Sequence, residues 1–213
     1  MKKNYFLTLI LTLFISGLSF GQVIITELAD PTNNAGARFV EIYNVSDSDV
    51  DLTDWELRRW TNATADPQGT GVDWSSIGTL SSGSFALIAA NATEFETVYG
   101  IPADINAGTG GAADSNGDDQ IAIFDDTDQT IDIFGVPGED GSGTCHEFED
   151  GRAERVSSVS ASSATWNESE WNVWADSSVS GCTSHTNSPR TAPTDYDPGA
   201  WIGTASGPSI SVG

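Results

Sequence analysis

The chain has 213 residues, with 31 acids against eight lysines and arginines and a formal charge of −23. Such a surface repels a phosphate backbone, so direct nucleic-acid binding is not expected. The length allows one good-sized domain and a tail, and the charge speaks first to solubility in a salty medium.

The chain opens "MKKNYFLTLILTLFISGLSFGQ". Lys2 and Lys3 form a positive n-region, Phe6 to Ile15 an apolar run, and Ser19 and Gly21 put small residues at the −3 and −1 positions of a cleavage site. Residues 1–21 therefore read as a signal peptide, with Gln22 as the mature N-terminus. The apolar run is shorter than the roughly 20 residues that cross a bilayer. The expectation is a secreted or cell-surface protein with no membrane span after processing. Both lysines leave with the signal, and six arginines then face all 31 acids, a formal charge of −25.

From Val23 onward no helical period runs far. Short β-rich stretches recur at "VIITELA" (23–29), "ARFVEIYNV" (37–45), "DLTDWELRRW" (51–60), "SFALIAA" (84–90), "DQIAIFD" (119–125), "TIDIFGV" (130–136), "ERVSSV" (154–159) and "EWNVWAD" (170–176). Gly, Asn, Asp, Ser and Pro clusters separate them, the pattern of an all-β antiparallel sandwich or barrel. One short helix is expected at "ATEFETVYG", with Thr93 as cap, Phe95 and Val98 or Tyr99 inward and Gly100 as stop. After Cys182 the composition turns to Ser, Thr, Pro and Gly, and residues 183–213 read as a tail or linker toward a further module.

Within "FVEIYN" a lone acid, Glu41, interrupts an apolar run. Period two puts Phe39, Glu41 and Tyr43 on one face and Val40 and Ile42 on the other. A half-buried carboxylate there needs a partner, and Arg58, Arg59 or Arg155 is the expected one. Glu27 and Glu41 would approach each other if their strands pair, as a glycosidase requires. No complete acid–base–nucleophile set accompanies them, so no catalytic residue is assigned.

Asp114, Asn116, Asp118 and Asp119 in "DSNGDDQIAIFDD" offer hard oxygen ligands in a Gly-broken loop, as calcium prefers. The same residues also suit a plain Asx- and Gly-rich turn, with no cofactor. Cys145 and Cys182 are the two cysteines of the chain, and in a secreted protein a disulfide is the expected state. His146 and His185 stand close by, but the spacing is not that of a zinc site. Seven tryptophans leave two uses open, sandwich core or an exposed platform for a flat ligand such as a sugar. In "WNESEWNVW" a strand period would put Trp166 and Trp171 on opposite faces.

The order of "ITE", "FVEIYN", "DLTDWEL", "SFALIAAN", "F..VYG", "GDDQIAIFDD", "IDIFG" and "RAERV" with a later Trp resembles the lamin tail domain family over residues 23–176. "FVEIYNVSDSDVDLTDWEL" carries most of that likeness. The resemblance implies an immunoglobulin-like β-sandwich over residues 22–182, in a secreted, bacterial, Bacteroidetes-like member. It implies that Glu41 is a structural carboxylate of the fold signature. Three functions stay open: a protein-interaction or spacer module, a carbohydrate-binding module, and an appendage of a secreted nuclease or phosphatase. The expected partners are proteins or polysaccharides of the cell surface or extracellular matrix.

Overall fold

The computed structural model describes residues 23–67 and 71–201. The expected signal peptide and the closing "PSISVG" lie outside the described residues. Thirteen strands follow in chain order: β1 (Val23–Ala29), β2 (Phe39–Asn44), β3 (Val50–Asp51), β4 (Glu56–Trp60), β5 (Val72–Asp73), β6 (Thr79–Leu80), β7 (Phe85–Ala89), β8 (Ile105–Asn106), β9 (Gln120–Phe124), β10 (Thr130–Phe134), β11 (Arg152–Arg155), β12 (Trp171–Trp174) and β13 (His185–Thr186). One α-helix, α1 (Ala92–Tyr99), follows β7. Seven strands form one sheet in the order β13-β12-β11-β1-β2-β7-β8, and four form a second in the order β10-β9-β4-β5. A small β3-β6 pair closes one end.

The two large sheets pack face to face, as expected of an immunoglobulin-like sandwich. Ile25, Leu28, Val40 and Ile42 of the first meet Leu57, Ile121, Ile123 and Phe134 of the second in one buried cluster. Fully burying such side chains stabilises the fold by about 1.5–3 kcal/mol each. Period two holds in β2: Val40 and Ile42 enter this cluster, while Phe39 and Tyr43 join two others on the outer face. Pairing is antiparallel throughout the large sheets except at the two borders of the seven-stranded one, where β7–β8 and β12–β13 run parallel.

The expected helix forms, but its cap is Asn91 rather than Thr93. The Asn91 side chain accepts from the Glu94 N–H at 3.2 Å, and Gly100 ends the helix in the left-handed region at φ 75°. Phe95 is fully buried. The strand expected at 154–159 lies earlier, because Val156–Val159 closes a turn through a 3.1 Å hydrogen bond.

Residues 183–201 correct the expected tail. His185–Thr186 adds a strand to the sheet, and Ala192, Tyr196 and Trp201 are buried on its outer face. Isolated apolar residues carry no period, so nothing in their spacing marks them as core; the sheet beneath supplies their burial. The Trp201 indole donates to the Arg155 carbonyl at 2.7 Å, and the Tyr196 hydroxyl to that of Gly151 at 2.9 Å. Asn33 and Ala192 exchange two 2.9 Å hydrogen bonds. Residues 190–201 thus form a strap across the sheet.

A register shift between Ile25 and Glu27 marks a β-bulge in β1. Ile25 and Leu28 face the inner core, whereas Ile24 and Ala29 face outward. Two residues, Thr26 and Glu27, therefore sit between the inward positions, and both meet the outer face opposite Glu41.

Candidate functional site

Three glutamates line up across adjacent strands on that outer face. Glu27 pairs in register with Glu154 of β11 on one side and with Glu41 of β2 on the other. Glu27 is 2 % exposed and Glu41 1 %. None of the expected arginines reaches Glu41. Its Oε1 accepts from the Thr26 hydroxyl at 2.6 Å, and its Oε2 accepts from the Gly199 N–H of the strap. The bulge explains the first contact, since it turns Thr26 to the same side.

Burial pushes the Glu41 carboxyl up to about 7, against the opposing pull of its Thr26 and Gly199 hydrogen bonds. Burial raises Glu27 still more clearly, with Glu41 and Asp197 adding like charge. Arg152 is the near cation, 3.9 Å from Glu27 and 3.7 Å from Glu154. It also stacks over the Trp174 ring at 4.0 Å.

The expected arginines are engaged elsewhere. Arg58 bridges Glu56 at 2.8 Å and Asp128 at 2.6 Å. Arg59 meets Asp119 at 3.2 Å. Arg155 shares the inward parity of Ala153 and meets the buried Asp132 at 2.7 Å between the sheets. Asp132 also accepts from the Ile25 N–H at 2.8 Å and the Ser163 N–H at 2.9 Å. The first of these donors belongs to the bulged strand. Asp132 carries the same signal as Glu41, an acid inside an apolar strand, and escaped the sequence reading.

The loop 114–119 does not gather its acids. Asp114 turns to Arg38 at 3.0 Å and accepts from the Gly110 N–H at 2.7 Å. Asp118 accepts from the Asn62 amide at 2.8 Å, Asp119 faces Arg59, and Asn116 is exposed. Gly117 sits at φ 99°, and a side chain there would strike the backbone of Glu149. The loop is thereby packed against the chain behind it. With Asp114 and Asp119 already neutralised by arginines, thermal melts in EGTA and in a few millimolar calcium are expected to coincide. A calcium-specific rise, absent with magnesium and lost in Asp118→Asn/Asp119→Asn, would restore the loop as a site.

Cys145 and Cys182 form the disulfide. His146 contacts Glu139 at 3.0 Å, and His185 contacts the Glu147 carbonyl at 2.8 Å. Four tryptophans serve the core, with Trp74 and Trp171 fully buried and Trp60 and Trp201 nearly so. Trp55 and Trp166 pack half-buried against it, and Trp174 is half-buried under Arg152. Trp166 and Trp171 stack at 6.0 Å instead of parting, because the 3₁₀ turn Glu168–Glu170 separates them and breaks the strand period. Trp171 is buried, so the pair makes no open platform. A groove of about 910 Å³ includes Val72 and Asp73 of β5 and Ile105 and Asn106 of β8 in its lining. Its described lining holds two carboxylates, Asp73 and Asp104. Asp73 accepts from the Ser75 N–H at 2.8 Å and hydroxyl at 2.7 Å, and Asp104 accepts from the Leu87 N–H at 2.8 Å.

A family model described as the lamin tail domain matches residues 18–138. The chain belongs to the lamin tail domain family. A search of curated proteins returns no match. The matched span contains β1 to β10, with Glu27 and Glu41, and ends before the disulfide. In this lamin tail domain, Glu154, Arg155 and the strap come from the chain beyond the match, yet they complete the same sheet and seal its outer face.

Proposed function

We propose that this lamin tail domain is a secreted, non-catalytic interaction module of a larger extracellular protein. The observation that carries the reading is the fate of the acid pair that β1 and β2 bring into register. Glu27 and Glu41 stand side by side as a hydrolase would need, but they lie under the strap at 2 % and 1 % exposure. A general acid or base must reach the proton it transfers, and these reach only protein. Secretion accords with the disulfide. Among the described residues no helix is long and apolar enough to cross a membrane. Among the described residues the half-buried tryptophans offer no open stacked pair for a flat sugar, since Trp166 stacks on the buried Trp171 and Trp174 is covered by Arg152. This favours a protein partner over a polysaccharide.

The purified chain is expected to show no turnover of duplex DNA, phosphate esters or common polysaccharides. Turnover that survives purification to homogeneity and disappears in Glu41→Gln would overturn this reading.

A further inference from the structure

We propose that residues 190–201 are a pH-operated strap: it stays latched over the outer face while the Glu27–Glu41–Glu154 row retains protons, and lifts when the row ionises. The inference is independent of what the module binds.

The geometry supplies the latch. Three carboxylates stand on neighbouring strands in register, and the strap lays a fourth, Asp197, against them. From β11 the row faces Glu154 and Arg152, from the strap Asp197 and Tyr196, and from α1 Tyr99. Asp30, near Tyr196, is separately held by Arg38 at 2.7 Å. Among the described residues Arg152 is therefore the one cation set among these four acids, and it touches Glu27 only at 3.9 Å. Glu27 Oε1 is buried and accepts no hydrogen bond. Full ionisation would leave adjacent buried charges facing each other with little water between them, which is strongly unfavourable.

The strap is the part that can yield. Among the described residues it makes seven hydrogen bonds to residues 32–155, Gly199 N–H to Glu41 among them, and buries three side chains, Ala192, Tyr196 and Trp201. Lifting it admits water to the row without breaking the inner core. Lifting also bares Phe39, Tyr43 and Leu87, an apolar face ready for another chain.

The sign follows from linkage. Glu41 keeps its proton to about 7 under the strap, against 4.5 when solvated. The closed state thus binds more protons between those values. Closure is fully favoured below the lower value and is lost as pH rises through the upper one, by up to about tenfold per pH unit for one proton released.

Hydrogen exchange on the whole chain, disulfide intact, at pH 5.5 and 7.5 tests this once corrected for intrinsic rates. Protection of amides in residues 190–201, Gly199 included, is expected to fall by about tenfold or more, while β4 and β9 hold theirs. Glu41→Gln mimics the protonated carboxyl, so the fall in strap protection between the two pH values should shrink, with Glu27 and Glu154 still free to ionise. Glu27→Gln, should the first variant fold poorly, is expected to shrink the fall. Equal protection of the wild-type strap at both pH values would overturn the proposal. So would a fall shared by β4 and β9, or one undiminished in whichever variants fold.

Discussion

Asp132→Ala is expected to destabilise the fold by about 3–5 kcal/mol, the scale of a broken buried ion pair. The carboxylate is fully buried between the sheets and gathers three donors from separate segments: Arg155 at 2.7 Å, the Ile25 N–H at 2.8 Å and the Ser163 N–H at 2.9 Å. Truncation leaves both N–H groups without their acceptor and the buried Arg155 without its nearest carboxylate. Among the described residues Arg155 keeps only Glu170, at 3.5 Å, as a remaining ion-pair partner. Urea unfolding of the variant measures the loss. A companion Asp132→Ala/Arg155→Met variant should recover part of it, because a buried pair replaced by apolar groups is often neutral or better. A loss below about 1 kcal/mol, the scale of a solvent-exposed pair, would mean that the pair does not clamp the sandwich.

Cys145→Ser/Cys182→Ser is expected to cost about 4 kcal/mol on the chain-entropy estimate for a closure across 37 residues. The bridge ties the loop after β10 to the segment that leads into β13 and the strap. Two hydrogen bonds already join the same regions, Asp176 N–H to the Glu149 carbonyl at 2.8 Å and His185 to the Glu147 carbonyl at 2.8 Å. Those bonds tether the native state, so the disulfide acts mainly on the unfolded chain, and the native fold should survive its loss. Comparing urea midpoints and slopes separates the two effects. Coincident curves for the oxidised protein and the double variant would defeat the expectation.

Much of the sandwich was legible because strands advertise themselves by local chemistry. The alternation in "FVEIYN" put Phe39, Glu41 and Tyr43 on one face, which the structure turns outward. The turn residues placed the limits of most longer strands within a few positions, while the two-residue strands β5, β6, β8 and β13 went unmarked. The partner of Glu41 was not legible. Choosing among arginines requires knowing which face each one takes, and Arg155 follows Ala153 inward to Asp132. The bulge at Thr26 was also hidden, since one inserted residue leaves no mark in composition, yet it delivers both the hydroxyl and the second carboxylate to Glu41. Glu154 and Asp197 lacked any signal of their own: they become neighbours of Glu27 through strand order and a returning segment.

The borders of the seven-stranded sheet have a bearing on how the chain behaves in company. Each border strand, β8 and β13, is two residues long and runs parallel to its neighbour. Copies meeting at either border of this sheet therefore find no long straight rim on which backbones can zip together. The longer border strand, the five-residue β10, belongs to the other sheet. The remaining surface carries a large excess of negative charge, which holds approaching copies apart at low salt. A unit built this way can be strung beside others on one polypeptide, or crowded on one surface, and keep its larger sheet to itself.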